Sequence, residues 1–234
     1  GAQQEAAAVD DVYRHRLALD APLPASLVYA EPNDTFFDAL QLILRHNADK
    51  LPLIDKVESN SVLYVVSCSR ILAYVERGLR GAERPALFDA PLDALGIGTY
   101  RHNAVRGGVI TAHAATPLAL VLQLLSEHRL SAVPIVDDDD RVIDLFAQPD
   151  ILLLVAQRDY RNLERSVRDV LRSVRARRRC PEVQTCQRTW SLQRVIERLI
   201  GMRVHRLVIV DHAHRVDGIV TSADLLRFFL YGGL

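Results

Sequence analysis

"HRLVIVDHAHRVDGIVTSADLLRFF", residues 205–229, holds an apolar strand, a polar turn, a second apolar strand and a further apolar run. That last run opens with Thr221 and Asp224, a hydroxyl and a carboxylate three residues apart at a predicted helix start. The stretch decides the fold because the chain repeats it. Aligning on the Asp that closes each first strand gives "LPLID" at Asp55, "VPIVD" at Asp137 and "LVIVD" at Asp211. Counting back to a predicted helix start, Asp34 to Pro52, Thr116 to Pro134 and Thr189 to Leu207 each span 18 residues. Counting forward to the next helix start, Asp137 to Asp150 and Asp211 to Asp224 span 13, while Asp55 to Arg70 spans 15. The first copy thus has a turn two residues longer and an Arg in place of the Asp.

Each copy reads as an extended entry ("SLVYAEP", "GVITAHA", "EVQTCQ"), a helix, two short strands around a charged turn and a closing helix. Leu118, Val121, Leu122 and Leu125 in copy two, and Leu192, Val195, Ile196 and Leu199 in copy three, recur at helical spacing. The strands are apolar on both faces, as a small sheet covered by helices requires. The fold class is therefore α+β, with three tandem β-α-β-β-α copies.

Composition narrows the function classes. In 234 residues, 49% are apolar and 25% charged, an ordinary globular balance. Lys+Arg and Asp+Glu both number 29, so no net field draws the chain to nucleic acid or an acidic membrane. No apolar stretch reaches the roughly 18 residues of a membrane helix, and the start carries no signal-peptide pattern. Three cysteines, Cys68, Cys180 and Cys186, are too few and too irregular for a disulfide framework. These features predict a reducing intracellular setting, cytoplasmic or nuclear.

Simple stacking of repeats explains the apolar periodicity but not the polar residues held in phase with it. Thr221-x-x-Asp224 in copy three stands opposite Ala147-x-x-Asp150 and Ser67-x-x-Arg70. One reading is a capping box. The other is a ribose-phosphate site, in which the helix N-terminus takes phosphate, a hydroxyl adds a donor and the carboxylate accepts from both ribose hydroxyls. His205-Arg206 and His128-Arg129 precede the strands of copies three and two, where copy one has Asp49-Lys50. Cations there suit phosphate; a snorkelled Arg beside a half-buried His is the alternative. "HAH" at 212–214 lacks a third metal ligand and reads as a solvated turn. "RARRRC", 175–180, is either a phosphate contact or a solvated joint. No Ser/His/Asp set, GxGxxG or P-loop is present, so no catalytic apparatus is expected.

The unit resembles the cystathionine-β-synthase (CBS) domain, through "GIVTSAD" (218–224); paired CBS domains form a Bateman module that binds adenine nucleotides. "IGTYRHNAV" (97–105), "EHRLSAVPIVDDDDRVIDLF" (127–146), "RDYRNLERSV" (158–167) and "VHRLVIVD" (204–211) resemble the γ regulatory subunits of AMP-activated protein kinase. The likeness covers residues 27 to 230. That family carries four CBS repeats, and the copies match its second, third and fourth. "VDDVYRHRLALDAP" (9–22) is similar to the stretch just after the family's first repeat, which is expected to be missing from this sequence, a truncation or a fragment. The implied layout is a linker (1–26), a CBS repeat (27–79), a linker (80–98), a CBS repeat (99–160), an Arg-rich linker (161–182) and a CBS repeat (183–231). The last two repeats would pair as a Bateman module.

The resemblance implies site residues one at a time. Asp150 and Asp224 match the ribose carboxylates of the third and fourth repeats. Arg70 matches the Arg that leaves the second repeat's site empty. Thr99 and Ala104 match contacts around adenine and phosphate, and Ser131 and Ala132 the adenine-lining pair. His205 and Arg206 match phosphate-side residues, with Arg129 in the related His-Arg pair of copy two. Thr221, with Ser222 beside it, matches the fourth-repeat hydroxyl, and Val28 a position at the start of the second repeat. The linker arginine falls among Arg175, Arg177 and Arg178, with Arg175 taken as the site residue.

Departures are specific. Asp49-Lys50 replaces the family's His-Arg, Ser69 its site lysine, Ala147 a serine, and Pro149 an aromatic. They imply loss or weakening of the site facing the absent repeat, while the sites of copies two and three are kept. The family reading is a non-enzymatic, energy-sensing regulatory subunit binding AMP, ADP or ATP, with the catalytic and scaffold subunits of a kinase as partners. A γ-like scaffold without sensing, or the Bateman module of another enzyme or transporter, stands beside it. Copy one is expected to show an apolar open face, which an isolated chain could hide by forming a homodimer.

Overall fold

The computed structural model describes residues 27–46, 48, 50–56, 61–79, 85–101, 108–156, 163–177 and 183–232. Copy one holds α1 (Phe36–Arg45), β1 (Lys50–Asp55), β2 (Ser61–Ser67) and α2 (Cys68–Leu79). A 3-10 turn (Ala86–Asp89), α3 (Leu92–Leu95) and β3 (Thr99–Tyr100) follow. Copy two holds β4 (Ala112–His113), α4 (Leu118–Glu127), β5 (Ala132–Val136), β6 (Val142–Ala147) and α5 (Gln148–Ala156). After α6 (Val167–Arg177), copy three holds β7 (Thr185–Cys186), α7 (Leu192–Gly201), β8 (Arg206–Val210), β9 (Val216–Thr221) and α8 (Ser222–Tyr231).

The three copies are built alike. In each, the entry lies parallel to the first hairpin strand: β4 beside β5, β7 beside β8, and Ala30 bridged to Leu53. The hairpins β1–β2, β5–β6 and β8–β9 are antiparallel, each with its register shift between the two residues that precede the repeated Asp. The repeated Asp has a structural cause in copies two and three. Asp137 Oδ1 accepts the amides of Asp139 (3.0 Å) and Arg141 (2.9 Å), and Asp211 Oδ1 those of Ala213 and Arg215 (both 2.8 Å). This side-chain turn ends each strand, with Asp140 (φ 64°) and His214 (φ 62°) in the left-handed region. "HAH" is part of it, exposed.

The first helix of each copy starts at Phe36, Leu118 or Leu192, each 19 residues before the repeated Asp. The structural partner of Asp34 and Thr116 is therefore Trp190, one residue past the Thr189 that sequence counting selects. Thr35 begins α1 with a capping box to Asp38, and Ser191 caps α7 through the Arg194 amide.

Copies two and three pair about a pseudo-twofold axis. Arg141 and Arg215 form a bridge, with Val142 N–H donating to His214 O (3.0 Å) and Val216 N–H to Asp140 O (3.1 Å). Val136, Val208, Val210 and Val216 form a shared core cluster at this seam. The connectors cross over. Ahead of copy two, α3 caps copy three, with Leu92 N–H to Trp190 O (3.1 Å) and Leu192 N–H to Ala90 O (3.0 Å). Ahead of copy three, α6 caps copy two, with Leu118 N–H to Arg165 O and Val167 N–H to Thr116 O (both 2.9 Å). Val167, Val170, Leu171 and Val174 are buried in the copy-two core.

Copy one leans on copy three by its helices. Leu40, Ile43, Ile71 and Leu72 share one cluster with Val195, Leu199, Leu225 and Leu226. Its sheet is open: Val62, Leu63, Tyr64 and Val65 are all exposed. Val62 is 60% exposed, whereas its register partner in copy three, Val216, is 3% exposed. The apolar face expected of copy one is present, and four consecutive exposed apolar residues are unusual for a monomer surface.

Candidate functional site

The ends of the second hairpin strands carry the in-phase polar residues. At the start of α8, the Thr221 hydroxyl accepts from the Asp224 amide (3.1 Å). Asp224 Oδ2 in turn accepts from the Thr221 amide (3.0 Å) and hydroxyl (2.8 Å). The capping box is real. Its remaining oxygen, Oδ1, lies 3.3 Å from Arg227 Nη1. At the start of α5, Asp150 Oδ2 accepts from the Ala147 amide (2.8 Å), but Ala147 offers no hydroxyl in return. The two copies share a further lock: Gln148 N–H donates to Ser131 O (3.1 Å), and Ser222 N–H to His205 O (3.0 Å). Ser222 is buried and its hydroxyl turns to His205 O at 3.4 Å, so it fastens strand to helix.

Two groupings emerge. In the first, "GIGT" approaches Asp224. Thr99 pairs with Ile219 on β9, and an open, shallow pocket is lined by Gly96, Ile97, Gly98, Asp224, Arg227 and Phe228 among others. The approach needs glycines: a Cβ on Gly218 would lie 2.8 Å from Thr99 O, and Gly98 holds φ 105°.

The second grouping joins copies two and three. Burial pushes the Asp150 carboxyl up, its Ala147 hydrogen bond and the Arg175 and Arg206 guanidiniums pull it down, and Asp144 pushes it up. Asp150, Arg206 from β8 and Arg175 from α6 thus share one electrostatic neighbourhood. Arg206 is half-buried and its Nη1 is fully enclosed. Arg175 Nε donates to Asp144 Oδ2 (2.9 Å), and Nη2 to Asp144 Oδ1 and to Leu145 O (3.2 Å). His205 reaches copy one: its Nδ1 is hydrogen-bonded to Ser69 Oγ at 2.6 Å.

Other sequence candidates fall elsewhere. Arg129 is exposed in the turn after α4, with φ 51°; it is in phase with Arg203 (φ 53°), not with Arg206, whose counterpart on β5 is Ala132. The two His-Arg pairs are three residues out of step, so Arg129 is not the copy-two equivalent of Arg206. Val28 is half-buried against the copy-one core. Ser131 is half-buried and Ala132 buried at the start of β5. Ala104 and Arg178 lie outside the described residues, as does Asp49. Sequence reasoning missed Asp144, because its pairing with Arg175 spans 31 residues and no motif marks it. Among the described residues, no group of three His, Cys, Asp or Glu side chains could hold a metal ion.

The CBS-domain family matches residues 24–77, 104–157 and 167–231. The chain belongs to the CBS-domain family. A Dictyostelium discoideum 5'-AMP-activated protein kinase subunit gamma is 36% identical over 211 residues, covering 88% of this chain and 35% of that protein. Human subunit gamma-3 is 33% identical over 202 residues, covering 86% of this chain and 39% of its own length. The chain thus spans little more than a third of these relatives. A Methanocaldococcus jannaschii protein, put forward as an archaeal homolog of γ-AMPK, superposes with a TM-score of 0.66 at 15% identity, covering 87% of this chain and 67% of that one. A conserved Pyrococcus horikoshii protein gives 0.60 at 15% identity, covering 89% and 80%. These two likenesses speak for the fold.

Proposed function

We propose that this CBS protein is an adenine-nucleotide-binding regulatory subunit of an AMP-activated-kinase-like heterotrimer, and not itself a catalyst. The observation that carries the reading is that Asp150, fastened at the start of α5 by the Ala147 amide, lies within electrostatic reach of Arg175 on α6 and Arg206 on β8. A carboxylate fixed at a helix start suits ribose hydroxyls, and guanidiniums beside it suit phosphate. The identity to kinase gamma subunits supports the same class.

In this reading AMP, ADP and ATP compete for clefts built by copies two and three. Adenine and ribose contacts are common to all three. Discrimination then lies at the phosphate end, at Arg206, His205 and the linker arginines. Bound nucleotide shifts the kinase only through a difference in affinity between kinase states. Catalytic and scaffold subunits are the proposed partners, in the cytoplasm or nucleus, with no role for nucleic acid or membrane. The exposed β2 face is where an isolated chain would meet a second copy.

The scaffold alternative draws on Ser69 and Asp49-Lys50 in place of family cations. Calorimetric titration with AMP, ADP and ATP separates the two readings: a sensor binds, a scaffold does not. Co-purification with a kinase separates a gamma subunit from the Bateman module of another enzyme or transporter.

A further inference from the structure

We propose that Asp144 sets the phosphate preference of the copy-two site, by holding Arg175 as a neutral pair. The inference rests on the nucleotide reading above and adds a specificity-determining residue to it. Arg175 is the linker arginine that the site would offer to phosphate. In the structure Asp144 occupies it: Nε and Nη2 both donate to the carboxylate, and Nη2 also donates to the Leu145 carbonyl. The pair is partly sheltered, with side chains 25% and 22% exposed, so solvent screens it less than the surface pair Arg172–Asp169 at 73% and 58%. Both members lie close enough to Asp150 to act on its carboxyl with opposite sign.

The pseudo-twofold axis exposes the asymmetry. By repeat register, Asp144 corresponds to Gly218 in copy three. There Tyr100 lies against the glycine, as Arg175 lies against Asp144, and no ion pair forms between these positions. Both positions are neutral overall, but only in copy two is that neutrality made by an ion pair between them. Next to the copy-two ribose carboxylate the linker cation is already cancelled, so each added phosphate gains little from it. Such a site favours the less charged adenine ligands.

The charge of the pair can be set by substitution. It is zero in the parent, one positive in Asp144→Asn, one negative in Arg175→Gln, and zero again in the double variant. Asn keeps an oxygen acceptor for the guanidinium, and melting curves check that each variant folds. The intact chain is titrated with adenosine, AMP, ATP and inorganic tripolyphosphate at two salt concentrations. Expected affinity for ATP and tripolyphosphate runs Asp144→Asn above parent and double variant, with Arg175→Gln lowest. The steps are on the order of tenfold at low salt and smaller at high salt. AMP moves less, and adenosine stays within about twofold.

Equal changes for adenosine and ATP would make Asp144 a merely structural residue and overturn the proposal. So would a gain in Asp144→Asn that persists in the double variant, or no gain for tripolyphosphate. If the parent binds neither adenosine nor AMP while tripolyphosphate still follows the charge order, the nucleotide reading falls and the control of Arg175 by Asp144 stands.

Discussion

Replacing Asp224 by alanine separates the two roles that its carboxylate can play. Asp224 Oδ2 accepts from the Thr221 amide and hydroxyl, while Oδ1 meets Arg227 at 3.3 Å. Its side chain is 13% exposed and that of Arg227 is 38% exposed, so the ion pair is partly solvated and adds at most about 1 kcal/mol. Losing the cap costs about 1 kcal/mol. The sum is roughly 1–2 kcal/mol, which at about 2–4 °C per kcal/mol for a chain of this size lowers the melting temperature by roughly 2–8 °C. If Asp224 also holds ribose, binding loses a charge-assisted pair of hydrogen bonds, about 1.5–3 kcal/mol, or roughly 10–150-fold in Kd. The assay pairs melting curves with calorimetric titration by AMP and adenosine. Thr221→Ala is the control. It removes the other half of the cap, so it should melt early while keeping adenosine affinity within about threefold. A lowered melting temperature in Asp224→Ala with unchanged AMP and adenosine affinity would refute the ribose role and leave only a capping box.

Other outcomes follow from the same geometry. Burial raises the Asp150 carboxyl above its ordinary value of 3.8, so the native state binds that proton more tightly than the unfolded chain. The stability it contributes is complete below the unfolded pKa and is lost as pH rises through the folded one. Asp150→Asn should therefore melt higher than the parent at pH 7, with the gap closing as pH falls towards 4, while nucleotide affinity drops. Burial pushes the Cys186 thiol up to about 12, and Cys68 is buried too. A Cys180→Ser chain should leave both thiols unreacted with a thiol reagent at pH 8 until denaturant is added. Fast labelling of the native protein would contradict the packing around β7. Val62→Asp should change stability by no more than about 0.5 kcal/mol, whereas Val216→Asp, at the same register but buried, should cost about 3 kcal/mol or more. Comparable melting temperatures for the two would mean that the copy-one face is covered in solution.

The sequence alone determined the repeat, the element order and the phase of the polar residues. Apolar spacing and the recurring Asp are local signals, and each records a local cause: a helix face, a strand, a side-chain turn. Thr221 and Asp224 were legible for the same reason, since a cap is made within one helical turn. Tertiary structure decided which of those marks meet. Only the pseudo-twofold seam brings Arg206 within electrostatic reach of Asp150, and only the crossover of α6 onto copy two delivers Arg175 to Asp144. Sequence register could not separate Arg129 from Arg206, because both follow a His before an apolar strand; the backbone puts one in a left-handed turn and the other on β8. Contacts between side chains 31 residues apart, or between Ser69 and His205 at 136, leave no periodic trace in the chain. Their partners are fixed by how whole copies pack, which is set by buried area summed over many residues and not by any one motif.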